Sequence, residues 1–283
     1  MVKVVAGFIN YIIDLLLYTS LFTAICAVGL CMATEKLLFG RAIPVFTHLH
    51  ILILGSTLLV YNTPRVMKRQ GNNPHQPRRP WYFVSLATGL LLTVWGLSSL
   101  SLQMLITCVI LGAFSFAYSW PLLPFTHGKS LRNFGWLKIL VLTGVWTTAT
   151  SVLPIITAGR NTVDYPFEIL VRFAFIFTLC VVFDIRDMQA DLQNNIYTLP
   201  HKVGLRNSYV LINITLLLFT VLSILQYLHY PFLGVRLVAA LVTAVITRVM
   251  VYYLKKHPSE RGYMGLADGV MLVYAVLVLL PGI

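Results

Sequence analysis

Asp184, Asp187 and Asp191 stand within eight positions of one another in a chain of 283 residues that has only nine acidic residues in all. An apolar stretch runs into the segment Phe183-Asp184-Ile185-Arg186-Asp187-Met188-Gln189-Ala190-Asp191. At 100° per residue on a helix, Asp187 and Asp191 fall at about 300° and 340° from Asp184, so the three carboxylates share one face roughly 60° wide. Ionised carboxylates crowded at a membrane helix end repel one another and need a cation or a set of basic groups beside them. Hard oxygen ligands of this kind suit Mg²⁺ that also binds a phosphate-bearing substrate. The plainer reading is a helix leaving the membrane with polar residues at its end, though an ordinary exit mixes in more Lys and Ser.

Membrane helices must position these residues. The chain is 58% apolar and 11% charged, and its mean hydropathy is +0.82. A soluble globular protein has about a quarter of its residues charged. Spanning a bilayer takes about 20 mostly apolar residues, and nine runs qualify: 8–32, 43–63, 81–99, 101–120, 136–157, 166–185, 208–228, 232–254 and 264–281. The expected architecture is therefore a single all-α domain over 1–283, a polytopic bundle of nine transmembrane helices. Cys26, Cys31, Cys108 and Cys180 lie in apolar segments, form no CxxC pair and read as small core residues. The first run is read as a retained helix rather than a cleaved signal, because its apolar core is long and carries Asp14.

The net charge is +12, which in a membrane protein points to cytoplasmic loops and anionic lipid head groups. No basic motif interleaved with stacking aromatics stands apart from the membrane runs, so no nucleic-acid partner is expected. Lys3 and the loops after the second, fourth, sixth and eighth runs carry 15 basic residues, Lys138 among them. The opposite side has five: Lys36, Arg41, Arg160, Arg172 and Arg236. By the positive-inside rule the N-terminus is cytoplasmic and the C-terminus outside, in a bacterial-type cytoplasmic (inner) membrane. Asp14, Arg248 and Asp268 lie one to two turns inside the cytoplasmic helix ends, and Arg248 with Asp268 is the natural pair. His48 and His50 read as satisfied polar residues near the outer interface.

Two loops on the cytoplasmic face then come together. One follows the second run and holds Tyr61-Asn62 and Arg79-Pro80; the other follows the sixth run and holds the Asp cluster, Thr198-Leu199-Pro200 and Gly204. Here the chain resembles the UbiA superfamily of intramembrane prenyltransferases, which has nine helices and two Asp-rich motifs, on helices 2 and 6, facing a shared cavity. The helix-6 motif of the menaquinone-type branch reads N-x-x-R-D-x-x-x-D-x-x-x-G-K-x-T-L, followed by a Gly. This chain has Asp184-Ile185-Arg186-Asp187, Asp191, Asn195, Ile196, Thr198, Leu199 and Gly204 at the same spacing. Tyr118-Ser119-x-Pro121 resembles the family's Tyr-Ser/Thr segment after helix 4. The family's helix-2 motif, N-D-x-x-D-x-x-x-D with Arg-Pro further on, matches at Asn62 and Arg79-Pro80. Its three Asp positions fall on Thr63, Val66 and Gln70, and the Gly-Lys of the second motif falls on Asn195-Ile196.

Basic residues stand where those carboxylates are missing. Arg65 and Arg69 project at about 300° and 340° from Asn62, on its own face, and Arg suits bidentate phosphate contact. The resemblance implies a cavity open to the cytoplasm and transfer of a prenyl group from an isoprenyl diphosphate to a lipophilic, aromatic acceptor. It implies Asp184, Asp187 and Asp191 on Mg²⁺, with Asp187, Asp191 and Asn62 in the catalytic set. Arg65, Arg69, Arg79, Tyr118 and Arg186 are then the substrate contacts. Two alternatives stay open. The basic residues after the second run are positive-inside charges that pair with Asp187 and Asp191 in place of a metal, or the protein is a non-catalytic UbiA-like membrane protein that binds prenyl lipids or acts as a scaffold. A secondary transporter predicts two sequence-related halves, and no internal repeat is present.

Overall fold

The computed structural model describes residues 2–40, 46–67, 79–119, 135–193, 195–230 and 234–280, with every side chain in them except those of residues 2–4, 6, 39, 79 and 116–119. The described residues are helical throughout, joined by short turns. Seven helical stretches are long and apolar enough to cross a membrane. They are α2 (Leu21–Phe39), α4 (Arg79–Leu97), the stretch from α6 (Trp136–Thr147) through a π turn (Thr148–Val152) into α7 (Leu153–Thr157), α8 (Pro166–Gln193), α10 (Leu205–His229), α11 (Gly234–Lys256), and the stretch from α12 (Glu260–Gly262) through a second π turn (Tyr263–Ala267) into α13 (Asp268–Leu279). A short α9 (Leu199–Val203) precedes α10, and the runs expected at 43–63 and 101–120 become α3 (His48–Met67) and α5 (Leu102–Ser119). By length and composition these two stand outside the seven, so the expected nine spans reduce to seven by that measure among the described residues.

The run expected at 8–32 is not one helix. It divides into α1 (Val2–Tyr18) and α2 at Ser20, whose φ of 58° is left-handed. Beside the break, the Thr19 hydroxyl donates to the Leu15 carbonyl at 2.6 Å, a local bond of the kind that competes with helix continuation. Apolarity alone does not reveal such a break. Along α1, Phe8, Ile9, Tyr11, Ile12 and Ile13 are exposed, while Leu17 and Tyr18 are buried near Met264.

α8 is the spine of the bundle. Its 28 residues span about 42 Å, longer than the roughly 30 Å hydrocarbon layer, so its two ends can carry charge while its middle is apolar. α8 packs on α6 and α10, and α2 packs on α3 and α13. Phe175 of α8, Phe219 of α10 and Tyr274 of α13 meet at the centre, Phe175 lying 5.2 Å from Phe219 and 5.7 Å from Tyr274 between ring centroids.

α3 lies backbone to backbone against α4, and glycine makes this approach possible. A Cβ on Gly55 would stand 2.5 Å from the Thr93 nitrogen, and one on Gly96 would stand 2.6 Å from the Leu52 backbone. No side chain fits at either position. α3 continues through Pro64 to Met67, which carries Asn62 and Arg65 to the end of the bundle where the Asp cluster lies.

Candidate functional site

The three carboxylates of α8 do converge, and an ammonium sits among them. Lys138, in the first turn of α6, places Nζ 2.8 Å from Asp184 Oδ1, 2.8 Å from Asp191 Oδ2 and 4.0 Å from Asp187 Oδ2. Asp184 and Asp191 are buried, with 1% and 0% of their surface exposed. Asp187 is half-buried, and Arg186 grips it in bidentate fashion, Nε to Oδ1 at 2.7 Å and Nη2 to Oδ2 at 3.1 Å. The helical-face argument for the Asp trio thus meets a buried Lys on one side and an Arg on the other.

Local backbone geometry holds Lys138 in place. Gly135, just before α6, has φ 49° and ψ −104°, and a Cβ there would fall 2.4 Å from the Tyr197 carbonyl oxygen. Tyr197 belongs to the turn that follows α8. In that turn Asn195 adopts φ 56°, a left-handed conformation that Gly and Asn accept more readily than other residues. The Ile196 N–H then returns to the Asp191 carbonyl at 2.9 Å. The same turn therefore ends the acidic helix and seats the helix that brings its counter-charge. Ile196, at the position of the family's Lys, is buried and apolar.

A cavity of about 420 Å³ opens beside the cluster. Arg65 of α3 lines it on one side, Arg186, Asp187 and Ala190 of α8 on another, and Pro258, Ser259, Glu260, Tyr263 and Met264 on the third. Arg65 Nη1 is buried and has no hydrogen-bond partner among the described residues. Around the rim, Arg261 forms an ion pair with Asp14, and the Tyr18 hydroxyl donates to Glu260 at 3.3 Å. α1 and α12 are thereby tied together across the ends of the chain.

The other expected site residues fall as follows. Asn62 is fully buried, and its Nδ2 donates to the Thr19 carbonyl at 2.8 Å and to the Leu58 carbonyl at 2.9 Å. It latches α3 to the break between α1 and α2. Arg69 lies outside the described residues, as do the side chains of Arg79 and Tyr118. Where the family has its first carboxylates, the Thr63 hydroxyl is turned back to the Leu59 carbonyl at 2.7 Å and Val66 is half-buried; Gln70 is outside the described residues. The expected Arg248–Asp268 pair does not form. Arg248 is exposed on α11, while Asp268 is buried and accepts from the Thr23 hydroxyl at 2.6 Å.

Mg²⁺ was expected on Asp184, Asp187 and Asp191, and the arrangement does not fit it. Two of the three carboxylates each hold the Lys138 ammonium at 2.8 Å, and both oxygens of the third face the Arg186 guanidinium. Mg²⁺ demands oxygen ligands in near-ideal octahedral geometry at about 2.0–2.1 Å, and an ammonium occupies the point where these oxygens meet. The helix opposite supplies no carboxylate at Thr63 or Val66.

Arg172 and Arg236, counted on the outer side in the sequence, form a second buried group with Glu168. Glu168, Arg172 and Arg236 are 1%, 1% and 2% exposed, and Glu168 is ion-paired to both arginines. Thr34 and Ser151 each donate to Glu168 Oε1 at 3.2 Å, and the π turn after α6 presents Ser151 to this group. Nearby, Cys31, Glu35 and His50 gather, their ligand atoms within 4.8 Å of one another. The Thr47 backbone N–H donates to His50 Nδ1 at 2.9 Å. That leaves Nε2 as the protonated nitrogen, 3.1 Å from Glu35 Oε2. Nothing in the spacing of Cys31, Glu35 and His50 announces this group, because their meeting depends on how α2 and α3 pack.

Two solved structures share this architecture. A UbiA homologue from Archaeoglobus fulgidus, bound to Cd²⁺, superposes with a TM-score of 0.64 at 11% identity, over 94% of this chain and 99% of its own. A digeranylgeranylglyceryl phosphate synthase superposes with a TM-score of 0.56 at 15% identity, over 95% of this chain and 99% of its own. No protein-family model and no curated protein sequence matches the chain.

Proposed function

With a UbiA-type membrane fold as the premise, we propose that the protein takes an isoprenyl diphosphate at the mouth between α3, α8 and α12 and transfers its prenyl group to a lipophilic, aromatic acceptor. The observation that carries this reading is the meeting of two guanidiniums, Arg65 and Arg186, on one cavity of about 420 Å³. They come from the two helices whose counterparts bear the Asp-rich motifs in the family that the sequence resembles. An arginine nitrogen that is buried and unpartnered is costly unless an anion completes it.

In this reading the two guanidiniums neutralise the leaving diphosphate as the allylic C–O bond breaks and its electron pair passes to the diphosphate oxygen. The acceptor carbon then bonds to the allylic carbon, and the proton that it loses leaves with the diphosphate. Arg69 and the side chains of Arg79 and Tyr118 lie outside the described residues and stay in this reading as the further substrate contacts that the resemblance implies. Asn62 positions α3 through the Thr19 carbonyl. The mouth faces the cytoplasm, by the bias of basic residues, in a bacterial-type inner membrane.

A second reading has its own observation. Thr63 and Val66 offer no carboxylate where the first Asp-rich motif is expected, which favours a non-catalytic protein that holds prenyl lipids. Binding of geranylgeranyl diphosphate to the purified protein, followed by release of diphosphate in the presence of lipophilic aromatic acceptors, separates the two. Binding that fails in Arg65→Gln, together with turnover, supports transfer. Binding without turnover across the acceptors supports the second reading. Absence of binding to the wild type sinks both.

A further inference from the structure

The acidic cluster carries its own cation. We propose that Lys138 takes the place of a divalent ion among Asp184, Asp187 and Asp191, so that the mouth works without metal and becomes a metal site only when the ammonium is removed.

Four observations converge on this. The ammonium is equidistant from two carboxylates at 2.8 Å and 4.0 Å from the third, close to the centre that a shared cation takes. Its side chain is only 6% exposed, so the charge is built into the core and is not a loop residue resting on the surface. The segment that delivers it is fixed, because Gly135 lies against the Tyr197 carbonyl with no room for even a methyl group. The third carboxylate is held by Arg186 through both oxygens. Among the described residues, the three carboxylates thus meet the Lys138 ammonium and the Arg186 guanidinium in direct contact, and Arg65 stands across the cavity.

A divalent ion entering this space meets an ammonium at contact distance. At such separations repulsion between like charges is worth kilocalories rather than tenths, and expelling Lys138 leaves an unpaired charge in a buried site. Loss of carboxylates at Thr63 and Val66 fits the same scheme, since a mouth that holds no metal has no use for a second set of metal ligands. Anion capture then falls to Arg65 and Arg186. The inference concerns the mouth identified above, but its test uses a metal alone and so stands or falls separately from the transfer reading.

Mn²⁺ is the probe, read by its electron paramagnetic resonance signal and by the thermal unfolding midpoint of the purified full chain in Mn²⁺ and in EDTA. Expected for the wild type is an unfolding midpoint indifferent to Mn²⁺ and no bound signal that depends on Asp191. Expected for Lys138→Met is a midpoint that falls in EDTA and recovers in Mn²⁺. Its Mn²⁺ affinity should be about tenfold or more above that of the wild type, and the gain should vanish in Lys138→Met/Asp191→Asn. Bound Mn²⁺ in the wild type that Asp191→Asn abolishes overturns the proposal. So does a folded Lys138→Met that gains no Mn²⁺ affinity. If Lys138→Met does not fold even with Mn²⁺ present, the comparison of wild type with Asp191→Asn decides alone. Mn²⁺ binding that Asp191→Asn leaves unchanged is binding elsewhere, and leaves the expected result standing.

Discussion

The two ends of α8 handle buried charge in different ways. Glu168 and Asp184 are 16 positions apart on the same helix, about 24 Å along its axis. At the Glu168 end every partner is buried: Arg172 and Arg236 flank one carboxylate, Thr34 and Ser151 donate to it, and the Arg172 guanidinium lies 5.3 Å from the centre of the Tyr274 ring. At the Asp184 end two carboxylates are equally buried, but the third opens onto a cavity beside two guanidiniums. A closed charge group fixes how helices meet, whereas one with an open side can exchange a protein partner for a ligand. The Glu168 end is read here as a staple and the Asp184 end as a mouth.

The largest expected effect breaks the staple. Glu168→Gln leaves Arg172 and Arg236 buried without a carboxylate, and breaking a buried pair from one side costs about 3–5 kcal/mol. The expected outcome is a marked fall in unfolding midpoint and in the yield of monodisperse protein. If the variant unfolds as the wild type does, the Glu168 group is not the closed staple described. Packing supplies the next test. Gly55→Ala sets a methyl group 2.5 Å from the Thr93 nitrogen, and overpacking of that kind costs about 1–3 kcal/mol. Because α3 carries Arg65, diphosphate affinity at the mouth should fall along with stability. At the mouth itself the two effects separate. Arg65→Gln should weaken geranylgeranyl diphosphate binding by about 10–100-fold, the worth of one charge-assisted hydrogen bond. Stability should stay within about 0.5 kcal/mol. An Arg65→Gln protein that loses stability but keeps its affinity would make Arg65 a structural residue and close the mouth.

The contrast between the ends also explains what could be read from the chain. The Asp trio was legible because its members lie on one helix, where 3.6-residue periodicity places them on one face without further information. The apolar runs were legible because a span needs about 20 mostly apolar residues, and each yields helix, the run at 8–32 in two pieces. Lys138 was not legible as a partner of Asp191. The two are 53 positions apart, and a Lys near the end of an apolar run reads as a positive-inside loop charge. Arg172 and Arg236 were counted as outer charges on similar grounds, yet both turn inward to Glu168. Charge near a helix end has two destinations, and packing chooses between them. The break at Thr19 and Ser20 was hidden because both segments are apolar, so a hydropathy window joins them. Asn62 is expected in the catalytic set, but its amide donates to the Thr19 carbonyl, a contact made possible by that unseen break.

The smallest expected effect concerns the turn that closes the mouth. Asn195 holds φ 56° where the resembled family has Gly, the residue for which a left-handed backbone costs least. An L residue without a short polar side chain loses about 1–2 kcal/mol there. Asn195→Gly should therefore unfold within about 0.5 kcal/mol of the wild type, and Asn195→Ala should lose about 1 kcal/mol. The turn also seats Tyr197 against Gly135, so strain in Asn195→Ala should reach Lys138 and its contact with Asp191. The readout that separates this from simple destabilisation is Mn²⁺ binding. A loosened ammonium admits some Mn²⁺ in Asn195→Ala and none in Asn195→Gly. Equal behaviour of the two variants in both measurements would mean that the turn does not hold the ammonium in place, and that Gly135 alone sets the depth of α6.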